Sequence, residues 1–351
     1  MTRLREEQEM QDVLYFHVEE LRKRARETLE RGGVSPDISE LVATVLVDAD
    51  VRGHPSHGVA LLPLYLTRLR QGGINAHAYP SCTELSETVT LLDGRGGFGQ
   101  LSADTAARHC ARSAARQGLA AVGVRGNNHI GMLAAYRQHF VASDVIGLLM
   151  NISGPSVSAP GAQRATLGNN AVCLIVPRQQ QPPFIVDFAT GVVACGKIRS
   201  AALSGRSVPP EWLLDRSGRP STDPADLDRG GSVPVFGGHK GLGLSLMIEV
   251  LAGILVAGTV SPLVNRQRHA PGSNMGCSQL FLGFRSDLFG QQGRHELLDV
   301  ICDAVRDGYD TSVPTPFFPE QREQACTEAA HDVGVPVPSA VAAELGWAAH
   351  F

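Results

Sequence analysis

The sequence predicts an α/β protein in which a helical part drawn from both termini flanks a strand-rich middle. Three observations point there. The first 75 or so of the 351 residues carry apolar stripes at helical spacing, roughly every three to four positions. The middle breaks into short β-branched or apolar runs punctuated by glycine and proline. Helical periodicity then returns from Arg294.

In order along the chain, Glu7 to Arg31 reads as one long charged helix stopped by Gly32-Gly33, since glycine takes a left-handed cap without strain. Ser35-Pro36 supplies an N-cap and a first-turn proline for a second helix. Its Ile38, Leu41, Val42, Val45, Leu46 and Ala49 form a single apolar stripe. A third helix runs from Leu64 to Arg70. Strands are expected at Thr88–Leu92, Ala120–Val124, Val145–Met150, Val172–Val176, Phe184–Val186 and Gln279–Phe284. Helices are expected between them at Ala103–Arg116 and Leu242–Val256. Pro209-Pro210 and Arg216–Gly231 mark a long polar loop. Arg294–Gly308 is a helix, and a proline-rich tail from Pro314 ends in a short helix near Ala340.

Composition narrows the function. Hydrophobic residues make up 43% and charged residues 19%, enough for a sizeable core. A net charge of -4 without a basic stretch argues against nucleic acid as a partner. The charged N-terminal segment does not read as a secretory signal. The longest apolar run, Leu242 to Val256, is short for a membrane span and holds Glu249 at its centre. Seven scattered cysteines with no C-x-x-C suit free thiols in a reducing compartment, so a cytoplasmic protein without a bound metal is expected.

Gly94, Gly96 and Gly99 fit the dinucleotide-binding spacing G-x-G-x-x-G. The acidic residue that should close the next strand is missing, because that strand ends in Arg125-Gly126-Asn127-Asn128. A tight glycine turn feeding a helix explains the same pattern.

The chemistry-bearing segment is Asp50-Val51-Arg52-Gly53-His54-Pro55-Ser56-His57-Gly58, which places two histidines, a serine and an arginine on a turn between helices. Spacing alone leaves several readings open. His54 and His57 as metal ligands lack a third partner, and Ser56 as a hydrolytic nucleophile lacks a G-x-S-x-G elbow. A proton-donating histidine with a hydroxyl helper, or plain helix capping, fits equally.

Asp50 to Gly58 followed by Leu62-Pro63-Leu64-Tyr65 resembles the signature segment of the malate/L-lactate dehydrogenase-like family. Four further stretches agree in order. They are Asn128-His129-Ile130-Gly131; Val186-Asp187-Phe188-Ala189-Thr190 through Gly196-Lys197-Ile198; Val208-Pro209-Pro210-Glu211-Trp212 through Thr222-Asp223-Pro224; and Gly238-His239-Lys240-Gly241-Leu242-Gly243-Leu244. The resemblance implies a non-Rossmann, sulfolactate-dehydrogenase-like fold, with an α/β cofactor-binding domain (76–289) inserted in a helical domain (5–75 plus 290–351). It also implies a homodimer.

The implied activity is hydride transfer between NAD or NADP and the C=O or C=N of a small 2-oxo, 2-hydroxy or cyclic imino acid. By resemblance His57 delivers the proton, Ser56 orients or passes it, and Asp187 completes the relay. His129, Ile130, Gly131, Met132, Leu133, Val186, Phe188, Lys240 and Gly241 are implied to hold the cofactor. The family's substrate-gripping arginine position is Leu61 here, and its Gly-Thr-Asn-Pro turn reads Gly168-Asn169-Asn170-Ala171. The cofactor-side Pro-Gly-Glu segment is replaced by Phe318-Pro319-Glu320-Gln321-Arg322. Leu61, Asn169 and Arg52 are therefore the expected substrate contacts, with Arg52 or Arg125 standing in for the missing grip. The expected substrate is one whose carboxylate is modified or missing. The alternative is a family member that has lost hydride transfer and acts as a binding protein or a proton-transfer enzyme of isomerase or hydrolase type.

Overall fold

The computed structural model describes residues 13–178, 181–290, 295–309 and 318–347. It opens with strand β1 (Val13–Phe16), followed by helices α1 (Val18–Arg31), α2 (Pro36–Val51) and α3 (Leu62–Gln71). In α1 the buried residues are Leu21, Ala25, Thr28 and Leu29, the one-sided spacing an amphipathic helix requires. The strand corrects the expected helix from Glu7. Val13-Leu14-Tyr15-Phe16 instead pairs antiparallel with Val335–Pro338, a partner too distant in sequence for local periodicity to reveal. The remainder of that expected helix start, 7–12, lies outside the described residues.

The middle contains β2 (Ser81–Glu84), β3 (Val89–Asp93), α4 (Gly99–Gln117), β4 (Leu119–Asn127), α5 (Arg137–Ala142) and β5 (Val145–Asn151). Next come β6 (Pro155–Ser158), β7 (Leu167–Gly168), β8 (Ala171–Val176), β9 (Phe184–Ala189), α6 (Cys195–Leu203) and β10 (Val233–Pro234). Then follow α7 (His239–Ile248), β11 (Cys277–Arg285), α8 (His295–Asp307), α9 (Gln321–Asp332), β12 (Val335–Pro338) and α10 (Ser339–Glu344). The proline content of the tail gave no hint of α9, and its expected start at Pro314 lies outside the described residues.

The main sheet has the order β2-β3-β4-β11-β5-β8-β9. Its single parallel pair is β3 with β4, joined through α4; the other neighbours run antiparallel. That arrangement is not the doubly wound parallel sheet of a Rossmann fold. Where a phosphate would sit on the Gly94–Gly99 turn, protein already fills the space. Asn128 Nδ2 donates to the carbonyls of Gly96 and Gly97 at 3.0 and 2.8 Å.

One face of the sheet packs on α4, where Ala103, Ala106, Ala107, Cys110, Ala111 and Ala114 let the helix approach closely, and Val45 and Ala49 of α2 join this core. The other face packs on α7 and its extension, through Ile248, Ala252 and Val256. That extension, Glu249–Ile254, widens into a π-helical turn. Its buried Glu249 accepts hydrogen bonds from Asn170 Nδ2 at 2.7 Å and Ser261 N at 2.9 Å, a local irregularity with a side-chain anchor. α1, α2, α3, β1 and β12 enclose a separate helical core around Tyr65 and Trp347.

Candidate active site

Ser56 and His57 lie on a tight 3-10 turn, Pro55–His57, directly after α2. The turn is held from below by Asp50, whose buried carboxyl accepts Val59 N at 2.7 Å. Gly58 is required there, because a Cβ would sit 1.9 Å from Asp50 Oδ1. Burial without a cation pushes the Asp50 carboxyl up to about 8, with the Val59 amide pulling the other way, so a neutral acid supports the turn. From the side, α9 clamps the turn. Arg52 forms a buried ion pair with Glu320 at 2.5 Å, and His54 Nε2 meets Glu323 Oε1 at 3.1 Å.

On that turn Ser56 Oγ and His57 Nδ1 are 3.1 Å apart. His129 enters from the end of β4. Asn128 fixes its backbone by accepting from Arg68 Nη2 at 2.8 Å and Met275 N at 3.1 Å. The His57 and His129 rings stack with centroids 5.8 Å apart and planes 18° apart. Behind them, Gln100 Nε2 donates to Tyr65 OH at 2.8 Å, and Tyr65 OH lies 2.8 Å from His129 Nδ1. With its oxygen accepting from Gln100, the tyrosine hydroxyl donates to Nδ1, which assigns the His129 proton to Nε2. Tyr65 ends the signature segment and Gln100 carries no motif of its own; helical placement brings both behind His129.

Both imidazoles are only partly covered by protein. Burial nevertheless drives His57 down to about 4, with His54 adding repulsion, and His129 down to about 3, with repulsion from His57, Arg68 and Arg268. Groups crowded by protein yet open to water are what line a cleft. The resting pair is neutral at pH 7.

Asp187, on β9, stands exposed on the same kind of wall, and its crowded surroundings push the carboxyl up to about 6. Its hydrogen bond is with Ala134 N at 2.9 Å; none joins it to Ser56 or His57. It acts on their neighbourhood through charge, with His54 and Arg52 as its favourable partners.

The remaining expected residues fall into three groups. Leu61 is buried with Val59, Leu62 and Tyr65 in the helical core, and Arg52 is committed to Glu320. Asn169 Oδ1 accepts Gly191 N at 2.8 Å, and Arg125 pairs with Asp93 at 3.6 Å. Leu61 offers no polar group, Arg52 and Asn169 are engaged within the protein, and Arg125 keeps only a loose pairing at the end of β4. Ile130, Met132 and Leu133 put their side chains into the core under α4, leaving the segment's backbone at Gly131, φ 77°, for a ligand.

The third group is accessible. Phe188 is 41% exposed and packs edge-to-face on Phe236, with Val186 half-buried on the same strand. Gly237 and Gly238, both left-handed, open α7 just before exposed Lys240 and buried Gly241. An aromatic ledge beside a glycine-rich helix start with a lysine suits a dinucleotide's ring and phosphates.

Residues 16–346 match the malate/L-lactate dehydrogenase family. The chain belongs to that family. L-Sulfolactate dehydrogenase of Methanothermobacter thermautotrophicus is 37% identical over 68% of this chain and 69% of its own length. Delta(1)-pyrroline-2-carboxylate reductase 2 of Burkholderia multivorans is 31% identical over 71% and 73%. A solved dehydrogenase from Sinorhizobium meliloti superposes with TM-score 0.87 at 31% identity, covering 96% of this chain and 98% of its own. As a member of the malate/L-lactate dehydrogenase family, the chain is an oxidoreductase acting on a small molecule. Among the described residues no helix is long and apolar enough to cross a membrane, and no group of three His, Cys, Asp or Glu is placed to hold a metal ion.

Proposed function

We propose that the chain moves a hydride between NAD or NADP and the C=O or C=N carbon of a small 2-oxo or cyclic imino acid, with His57 handling the proton. The single observation that carries this is the Ser56–His57–His129 cluster, three proton-bearing groups brought together and each partly open to water. When bound, the nicotinamide supplies or accepts the hydride. The Phe188 ledge and the Gly237–Gly241 turn are the surfaces on which it would lie, with Lys240 against a phosphate.

The chain's own part is the proton. His57 Nδ1 is engaged by Ser56 Oγ, so Nε2 is the nitrogen left for the substrate heteroatom. As Nε2–H is given up, Ser56 Oγ–H can refill Nδ1 and recover its own proton from cleft water. The imidazole thus changes tautomer without carrying a full charge, which its low basicity favours. In the reverse direction neutral His57 takes the hydroxyl proton. Asp187 sets the electrostatic balance of the wall together with His54 and Arg52.

The reading includes a homodimer and a reducing compartment. α7 and its extension expose Leu246, Met247, Val250, Ile254 and Leu255, each 48–66% open, an apolar face suited to a second copy. All seven cysteines are free, which suits a cytoplasmic protein.

Titration with NADH and NADPH, then oxidation of either in the presence of pyruvate, oxaloacetate and Δ1-pyrroline-2-carboxylate, tests the proposal. Binding of one cofactor with turnover of at least one acceptor is expected. Binding of neither cofactor would overturn it, and binding without hydride transfer would favour a proton-transfer or binding protein.

A further inference from the structure

Helix α2 ends on two carboxylates, Asp48 and Asp50, with no basic residue in its last turn. The C-terminal end of a helix carries partial negative charge, so an acidic side chain there needs a compensating partner. Asp50 has one in Val59 N, through which it holds the Ser56–His57 turn. Asp48 has a different one.

Both Asp48 oxygens face the guanidinium fork of Arg137, the first residue of α5. Arg137 Nη1 donates to Oδ2 at 2.7 Å and Nη2 donates to Oδ1 at 2.8 Å. The pair is three-quarters buried, with side-chain exposures of 25% for Arg137 and 22% for Asp48. A two-pronged contact of this kind fixes orientation as well as distance, which a flexible ammonium does not.

Each partner also holds one side of the site. On the helical side, the Asp48 carbonyl accepts Arg52 N at 3.0 Å and the Ala49 carbonyl accepts His54 N at 2.8 Å, which shapes the approach to Ser56 and His57. On the sheet side, Arg137 Nη1 donates to Ala134 O at 3.1 Å, and Ala134 N donates to Asp187 Oδ2 at 2.9 Å. The contacts therefore run without a gap from Asp187 through Ala134, Arg137 and Asp48 to the turn. Packing keeps the path short. Val45 and Ala49 of α2 share a core with Leu133, and a Cβ on Gly131 would lie 3.2 Å from Val45 Cγ1.

We propose that Asp48 and Arg137 are positioning residues for the proton step, their fork fixing the Asp187 carboxylate relative to the Ser56–His57 turn. Asp187 has no hydrogen bond to that turn, so its place is set by what holds Ala134. The proposal rests on the reading of Ser56, His57 and Asp187 as the proton-handling groups. Losing the fork should alter the proton step and leave binding alone, because neither residue is needed to touch substrate or cofactor.

The test uses the full chain as wild type, Asp48→Asn, Arg137→Gln, the Asp48→Asn/Arg137→Gln double variant and Arg137→Lys. One readout is kcat and KM with the fastest of pyruvate, oxaloacetate and Δ1-pyrroline-2-carboxylate. The other is the titration of Asp187 by NMR of carboxyl-labelled aspartate, assigned with Asp187→Asn. Each charge-removing single variant should lower kcat at least about tenfold, with KM and cofactor Kd within about twofold. The double variant should be no slower than the poorer single one, because both changes remove the same brace. The Asp187 midpoint should move by at least about half a pH unit in the same direction in both single variants. Direct charge effects would have opposite signs, since one variant removes an anion and the other a cation. Arg137→Lys, which keeps the charge and loses the fork, should fall between wild type and Arg137→Gln.

A kcat within about twofold of wild type in either single variant overturns the proposal and leaves the pair a stabilising contact. Opposite shifts of the Asp187 midpoint overturn it as well, by assigning the effect to charge. If the charge-removing variants do not fold, Arg137→Lys decides, and wild-type kcat and midpoint in it overturn the proposal. If wild type turns over no acceptor, the hydride-transfer reading falls, while a shared shift of the Asp187 midpoint still supports the brace.

Discussion

The imidazole of His57 lies stacked on that of His129, centroids 5.8 Å apart, and the His57 ring makes His129 harder to protonate. Burial is the larger cause for both. Ring-resolved NMR titration should therefore find both neutral from pH 8 down to about 5, well below an ordinary histidine. A titration of either near 6.5 would show an unperturbed ring. The linkage has a definite sign. Both folded-state values, about 4 and about 3, lie below the ordinary 6.5. Their contribution to stability is complete above pH 6.5 and is lost as the pH falls toward those values.

The close approach of Gly196 to Ser56 makes a second site sensitive to a single methyl group. Gly196→Ala would set its Cβ 2.4 Å from Ser56 Cβ, a distance neither backbone tolerates. We expect a stability loss of about 1–3 kcal/mol by chemical denaturation. Turnover should fall by about 10²-fold, because a shift of order 1 Å at the serine disrupts its bond to His57. Unchanged turnover would show that Ser56 has no part in the proton path.

Asp187 separates a structural role from an electrostatic one. Asp187→Asn keeps an oxygen for Ala134 N, whereas Asp187→Ala leaves that amide unpaired. The Ala variant should lose about 1 kcal/mol of stability and the Asn variant almost none. Since the folded carboxyl is raised to about 6, its own contribution is fullest below 3.8 and lost as pH rises through about 6. Asp187→Asn should accordingly melt no lower than wild type at pH 8. Both variants should lose about tenfold in kcat if the charge supports the cleft. Full activity in Asp187→Asn would reduce the residue to a cap.

Much of this was legible in the sequence because the relevant signals are local. The stripe of α2, the Ser56–His57 turn and the strand runs of the main sheet depend on neighbours within one or two turns or on alternation. What stayed hidden depends on distant partners. β1 exists because Val335–Pro338 returns beside it. The sequence marks Arg52 as a substrate contact, and only the fold brings Glu320 of the C-terminal segment against it. Leu61 carries no charge, and its burial in the helical core with Val59, Leu62 and Tyr65 depends on the fold.

The most direct test of His57 as the proton carrier is single-turnover hydride transfer in His57→Asn, with cofactor binding followed separately. Asparagine keeps a polar group near Ser56 but cannot carry the proton. The expected result is cofactor affinity within about twofold of wild type and a hydride-transfer rate lower by about 10²- to 10⁴-fold. A rate within about threefold of wild type would contradict the assignment and move the proton step to His129 or to water.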